Sequence, residues 1–341
     1  MPKRISPCQG GIRKDLCGFL QCVWYKARVG KTREPSFTVT HHGKNVHVVD
    51  VTVGKPRGWE QWFLIRSDAH HDNAKCRRDL EKKHLDEALK RNAIIMDLGD
   101  CLDLMQGKAD RRQSKGQLRS GQLAAAYFDR VIEEAAEFYA PYAQNWAFVG
   151  QGNHESAWLA HHESCPTTHL VRAVKMLNKR SQMGAGGYGG YMKFRVRFNN
   201  NACLAWTMRY YHGSGGGAPM SMGVLDSRRM FSFVEGCDVI AVGHNHQSNV
   251  VGIAREYLET RNGVYEIRQR HCDFVRCGTY KDDWGNGHGG WAVEKMGSTG
   301  PTPLRAKWIR LHVQFEVAEN AKGSGTQHGQ PRLAWDILDA Q

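Results

Sequence analysis

Ala93-Ile94-Ile95-Met96-Asp97-Leu98-Gly99-Asp100-Cys101-Leu102-Asp103 is the stretch from which the rest of the chain can be ordered. Its first four residues are an unbroken apolar run, which reads as a buried strand, and Gly99 ends that run in a turn. Asp100 then stands at the carboxyl end of the strand, where open α/β sheets place their ligands. Asp and Gly are also ordinary turn residues, so on its own the stretch is turn chemistry. Repetition elsewhere in the chain changes that reading.

Outward from this strand the chain alternates. Trp62-Phe63-Leu64-Ile65 is a short apolar strand running into Ser67-Asp68. Residues 76–91 are charged, but Leu80, His84, Leu85, Ala88 and Leu89 recur at helical spacing. Leu123 to Tyr139 reads as a second helix stopped by Pro141, and Trp146-Ala147-Phe148-Val149 as a third strand. Strand, helix, strand, loop, helix, strand is the order of a parallel α/β half. Beyond the glycines of 184–190 the signal turns to strands: Tyr191–Phe198 with Ala202–Tyr211, then Val239–Val242, then Val250–Leu258 with Val264–Arg270 across Arg261-Asn262-Gly263, then Phe274–Gly278.

Composition bounds the class. The chain has 341 residues, 41% hydrophobic and 24% charged, as in a globular protein with a large core. No apolar stretch approaches the roughly 20 residues of a membrane span, and the basic N-terminus has no apolar segment behind it, which predicts a cytoplasmic protein with no membrane partner. Ten cysteines without a Cys-x-x-Cys pair read as reduced thiols. The net charge is +13, with eleven Lys/Arg against four Asp/Glu in residues 1–60. A second basic stretch holds Lys108, Arg111, Arg112, Lys115 and Arg119. Such a balance favours polyanionic partners.

Three segments follow: a basic N-terminal appendage over 1–60 with a β-hairpin around His41-His42-Gly43-Lys44-Asn45, a main domain over 61–316, and a polar tail over 317–341. Cys8, Cys17 and Cys22 with His41, His42 and His47 match no regular zinc spacing.

Five short motifs fall at strand ends, and each supplies metal-type donors: Asp68-Ala69-His70; Gly99-Asp100-x-x-Asp103; Gly152-Asn153-His154-Glu155; His212-Gly213; and Gly243-His244-Asn245-His246. Asp68/His70 and His244/His246 are alternating residues, which point the same way from extended backbone. Imidazole, carboxylate and amide oxygen together suit Mn, Fe or Zn better than Mg or Ca alone. Singly, most are bland. Asp68 could cap a helix, Gly152-Asn153 could be a turn, and His212 could be a hydrogen-bonded structural histidine. Only Gly243-His244-Asn245-His246 points to metal unaided, but the ordered set points there jointly.

In this order the motifs resemble the calcineurin-like metallophosphoesterase family, whose pattern is Asp-x-His, Gly-Asp-x-x-Asp, Gly-Asn-His-Asp/Glu, His and Gly-His-x-His. The resemblance covers roughly residues 62–280. It implies an α/β fold of two packed mixed β-sheets flanked by helices, with a two-metal centre at the strand ends. By that resemblance Asp68, His70, Asp100 and His246 hold one cation, and Asp100, Asn153, His212 and His244 the other. It also makes His154 the general acid, oriented by Asp103. The metals would be divalent, manganese first, with Fe, Zn or Mg as alternatives. The family's protein phosphatases follow Gly-Asp-x-x-Asp with Arg-Gly; here that position is Leu104, which argues against a protein phosphatase. His71 and Asp72 read as groups behind the ligands or on the surface, and Cys101 as a packing residue.

The metal ligands do not encode the substrate. The basic stretch 108–119 follows Asp103 closely and is suited to a nucleic-acid backbone, and Phe19, Trp24 and Tyr25 to base stacking. The expectation is a phosphodiesterase or nuclease acting on nucleic acid, DNA before RNA. The alternatives are a small-nucleotide phosphatase or cyclic-nucleotide phosphodiesterase, and a non-catalytic nucleic-acid-binding protein with a structural metal site. The oligomeric state is not encoded in these motifs.

Overall fold

The computed structural model describes residues 36–106, 117–122, 126–198, 203–215, 221–261, 263–284, 301–315 and 331–341. Two mixed β-sheets pack face to face. In chain order the elements begin with β1 (Phe37–His41), β2 (Val46–Val53), β3 (Glu60–Arg66), α1 (Arg78–Lys90) and β4 (Ile94–Asp97). Next come α2 (Tyr127–Tyr139), β5 (Trp146–Val149), α3 (Asn153–His162), α4 (Pro166–Leu177), β6 (Gly184–Ala185), β7 (Gly189–Phe198) and β8 (Cys203–Tyr211). The last are α5 (Val224–Phe233), β9 (Val239–Val242), β10 (Asn249–Arg261), β11 (Val264–Arg276), β12 (Ala306–Phe315) and β13 (Pro331–Ala340).

One sheet has six strands in the order β13-β12-β3-β4-β5-β6, parallel from β3 to β6. The other has seven, β1-β2-β7-β8-β9-β11-β10, with parallel pairs at β2/β7, β8/β9 and β9/β11. The fold is therefore α/β with two packed mixed sheets flanked by helices.

The unbroken apolar runs explain the layering. In β4, Ile94 and Met96 face the other sheet, where they meet Phe194, Trp206 and Met208, while Ile95 points the opposite way into the helices. A strand covered on both faces needs apolar residues at every position, and this one has them. Against its outer face α1, α2 and α4 bury Leu85, Ala88, Val131, Ala135, Leu170 and Val174. On the outer face of the seven-stranded sheet, α5 packs Met230 and Phe231 against Ile240, Val242 and Phe274. Each fully buried side chain of this size contributes about 1.5–3 kcal/mol.

Both segment boundaries move. The main compact unit already includes β1 and β2, so it starts before residue 61. The hairpin expected in the appendage exists, but β2 runs parallel to β7, pairing Val46 with Tyr191 through to Val53 with Phe198, so β1 and β2 extend the seven-stranded sheet. Alternation at Val49, Val51 and Val53 buries one face of β2 in the core between the sheets. The expected polar tail contains β13, which pairs with β12 along its whole length and packs Leu333, Trp335 and Ile337 against the same core. The expected final strand at Phe274–Gly278 is the end of the longer β11. Cys8, Cys17, Cys22, Phe19, Trp24 and Tyr25 lie outside the described residues. Among those described, all seven cysteines are free thiols, and no helix is long and apolar enough to cross a membrane.

Candidate metal centre

The carboxyl ends of β3, β4, β5, β8 and β9 converge, and the loops leaving them carry Asp68, His70, Asp100, Asn153, His154, His212, His244 and His246. Parallel pairing of β3, β4 and β5 sets the first three ends side by side, and the main chain then laces the loops together. Asp68 N–H donates to the Gly99 carbonyl, His70 N–H to that of Asp100, and Gly243 N–H to that of His212.

The alternating-strand geometry expected for Asp68/His70 and His244/His246 is not what brings them together. All four sit past the strand ends in the left-handed region, at φ 52°, 46°, 76° and 59°, as does Asp100 at 51°. Non-glycine residues avoid this region, and clusters of them mark sites where surroundings override local preference. Five of the nine non-glycine residues with positive φ among those described are these candidate ligands. Two glycines make room for the turns. A Cβ on Gly152 would collide with the Asp100 carboxylate, and one on Gly243 with Ser67 and Asp68.

Each central carboxylate spends one oxygen on structure and leaves the other facing the cluster. Asp68 Oδ2 accepts from His244 N–H at 2.8 Å, while buried Oδ1 has no hydrogen-bond partner among the described residues and lies 3.4 Å from His246 Nε2. Asp100 Oδ1 accepts from His154 N–H at 2.9 Å, while Oδ2 lies 3.2 Å from His212 Nε2 and 3.8 Å from His154 Nε2. Asn153 Oδ1 is 3.1 Å from His212 Nε2 and 2.8 Å from His244 Nδ1. His70 Nε2 and His246 Nε2 face each other at 3.3 Å.

The outer partners fix which nitrogen each imidazole offers. His70 Nδ1 is 2.9 Å from Asp103 Oδ1, His212 Nδ1 is 3.2 Å from the Leu98 carbonyl, and His154 Nδ1 is 2.5 Å from the Asp103 carbonyl. A proton on each Nδ1 directs the Nε2 lone pair inward, the arrangement usual for metal-binding histidines. Burial opposes a charge on His212, yet the Asp100 and Asp68 carboxylates raise its pKa to about 9. With Nδ1–H already on a carbonyl, Nε2 of His212 faces only oxygens, and a proton or a cation must stand between them. The donor set fits divalent metal. Asp68, His70 and His246 form one group whose ligand atoms lie within 4.8 Å of one another, Asp100, His212 and His244 another, and His70, Asp100 and His154 a third between them.

Asp103 orients His154, but through its main chain rather than its carboxylate. Its main-chain carbonyl holds the ring, while its carboxylate is 3.9 Å from that Nδ1 and instead meets His70, Lys281 Nζ at 3.1 Å and Asn73 Nδ2 at 3.0 Å. Arg119 is also not a free polyanion contact, since its guanidinium donates to the Asn73 and Cys76 carbonyls. Lys108, Arg111, Arg112 and Lys115 lie outside the described residues. His71 and Asp72 sit behind the ligand loops. His71 Nδ1 is 2.8 Å from Glu81 Oε2, and Asp72 accepts from Asp103 N–H, Leu104 N–H and Tyr127 O–H.

Two further residues escaped the sequence reading. Lys281 follows Asp103 by 178 positions with no local pattern around it. Glu155 stands inside a quoted motif, and its carboxylate accepts N–H bonds from Gly152, Asp100 and Leu102, tying α3 to the β4 loop.

No family model matches the sequence, and no curated protein matches it either. Among solved structures, an NMR solution structure of a Thermotoga maritima protein aligns with 82% of this chain and 99% of its own at 15% identity. Its TM-score is 0.26, too low to carry an argument about either fold or function.

Proposed function

We propose that this protein is a metal-dependent phosphoester hydrolase acting on nucleic acid, and that it binds two divalent cations, manganese first. One cation falls to Asp68, His70, Asp100 and His246, the other to Asp100, Asn153, His212 and His244. The observation that carries this reading is the position of Asp100, which joins two of the donor groups while His154 stands beside it with Nε2 turned inward. Cations in such a pair supply charge neutralisation for the phosphate oxygens and acidify water.

The chain's own residues account for the rest. Asp68 and Asp100 offer one oxygen each, and His244 N–H and His154 N–H fix the other. The Asp103 carbonyl holds His154 through Nδ1–H, and when Nε2 is protonated as well the imidazolium can pass that proton to the departing ester oxygen, the role of a general acid. Phosphoryl transfer asks mainly for positioning and charge stabilisation, so no Ser or Cys nucleophile is needed. The net charge of +13 and the basic residues Lys108, Arg111, Arg112 and Lys115 favour a nucleic-acid substrate, DNA first. A small-nucleotide or cyclic-nucleotide phosphoesterase is the second reading, since the proposed metal ligands do not distinguish phosphoester substrates; Leu104 argues only against a protein phosphatase.

The test is metal-stripped protein titrated with Mn²⁺ while hydrolysis of bis(p-nitrophenyl) phosphate and of labelled linear DNA is followed. Turnover of the aryl diester should appear with Mn²⁺, saturate near two equivalents and vanish in Asp100→Asn. DNA cleavage would support the nuclease reading, and intact DNA beside active aryl hydrolysis would move the substrate to small nucleotides. A protein that binds Mn²⁺ yet cleaves no phosphoester would overturn the hydrolase.

A further inference from the structure

Beside the metal centre, on the outer face of the seven-stranded sheet, lies a cavity of about 470 Å³ between β8, β9, β11 and α5. It shares its wall with the ligand loops. Gly213, which follows His212, lines it, and a Cβ there would collide with His244. Arg276, also in the lining, donates from Nη1 to the Gly243 carbonyl, the peptide just before His244.

The lining combines two chemistries. Arg209, Arg229 and Arg276 stand against one acid, Asp226, whose carboxylate is already 2.8 Å from Arg276 Nη2. Tyr211 and Phe233 supply aromatic surface above the fully buried Phe274, and Phe233 is 67% exposed although it ends an amphipathic helix. Arg276 is only 2% exposed, and its Nε is buried with no hydrogen-bond partner among the described residues. Exposed Arg229 has no side-chain partner among them either. Aromatic surface beside the guanidinium groups of Arg209 and Arg229, which form no ion pair among the described residues, suits a flat base carrying a negative charge. The volume lies within the range of small-molecule sites, ~300–1,000 Å³. That volume is of the size of one nucleotide unit.

We infer that this cavity binds one unpaired nucleotide unit of the substrate, its base against Tyr211 and Phe233 and its phosphate toward Arg209 and Arg229. The inference rests on the phosphoester reading for its consequence, since it makes the enzyme select single-stranded or small-nucleotide esters. Arg229 and Phe233 are the specificity-determining residues. Both are exposed at the rim, so their replacement leaves the core of α5 untouched.

Two measurements test it. In the first, thymidine 5′-phosphonate, whose carbon–phosphorus bond cannot be hydrolysed, is titrated calorimetrically into the full-length protein as purified. Binding should be at least tenfold weaker in Arg229→Ala and in Phe233→Ala, with affinity restored in Phe233→Tyr. In the second, p-nitrophenyl thymidine 5′-monophosphate is the substrate in Mn²⁺. KM should rise tenfold or more in both variants with kcat within threefold, whereas a merely structural role would lower kcat. Unchanged phosphonate affinity in both variants, or competition by inorganic phosphate as effective as by the nucleotide, would overturn the inference. Failure of the phosphoester reading would look different, because no ester would turn over while the phosphonate titration still gave its own answer.

Discussion

At the scale of single residues, this site trades backbone comfort for convergence. Asp68, His70, Asp100, His244 and His246 all adopt positive φ, a conformation that costs of order 1–3 kcal/mol each. The arrangement persists because the loops are over-determined by Gly99, Asp100 and His212 carbonyls and by carboxylate-to-backbone bonds. Spacing alone identified these residues, since Asp-x-His and His-x-His survive in the sequence as patterns. It did not reveal their conformation, because a left-handed turn in Asp or His is imposed by neighbours distant in the chain. The same limit hid Lys281, whose pairing with Asp103 joins two loops with nothing periodic about either. His154 is the residue on which chemistry and metal binding should separate. Its Nε2 is 3.8 Å from Asp100 and its ring is held by a carbonyl, so His154→Ala should retain metal content by elemental analysis. Hydrolysis should fall about 10²–10⁴-fold, the usual contribution of a general acid. Loss of both cations in that variant would make His154 a ligand instead.

At the scale of elements, the β3–β4 pair is braced from behind by a buried ion network. Arg66 on β3 meets Asp97 Oδ2 on β4 at 2.8 Å and Glu81 Oε1 on α1 at 2.7 Å, with all three side chains inaccessible. Burial disfavours a charged Glu81, yet His71 and Arg66 hold its pKa below the usual carboxylate range. A depressed pKa means stability that is present above the ordinary Glu range and lost as pH falls through it. Glu81→Gln leaves Arg66 partly uncompensated and should destabilise by about 3–5 kcal/mol near neutrality. In denaturant titrations the gap from wild type should narrow below about pH 4. A gap independent of pH would remove Glu81's charge from the account. The opposite case is the β10–β11 hairpin, whose distal half carries exposed Leu258, Tyr265 and Ile267 and lies beyond the ends of β9. A two-stranded ribbon alone is marginal in water. Amides of 256–261 and 263–268 should therefore exchange hydrogen at least 10²-fold faster than those of Phe274 and Val275, which lie next to β9 in the core. Equal protection along both strands would show that something covers the arm.

For the whole molecule, what could be read from the sequence divides by how local its signal was. Trp62–Ile65, Ala93–Met96 and Trp146–Val149 are contiguous apolar runs, so the parallel half was legible from each run by itself. The placement of β2 was not, because its partner β7 begins 143 residues after Val46, counting to Gly189, and alternation alone cannot name a partner. Likewise β13 is an edge strand with Arg332, Asp336 and Asp339 among its apolar residues, and only its pairing with β12 shows that it is structural. The two sheets meet over a continuous core, but their converging strand ends gather buried Asp68, Asp100, Asp103, His70, His154 and His212 with half-buried His244 and His246. Without cations, that cluster must hold carboxylates and imidazoles in compensating protonation states, as the raised pKa of His212 shows. The folded state should therefore bind divalent metal far better than the unfolded chain, in which the ligands are scattered from 68 to 246. Binding to the folded state alone adds about 2.7 kcal/mol at a hundredfold excess over Kd. For a chain of this size that corresponds to several degrees in Tm. Thermal unfolding of metal-stripped protein should consequently shift upward with Mn²⁺, return with excess chelator, and shift little in Asp100→Asn. An equal upward shift in Asp100→Asn would place the stabilising cation somewhere other than these strand ends.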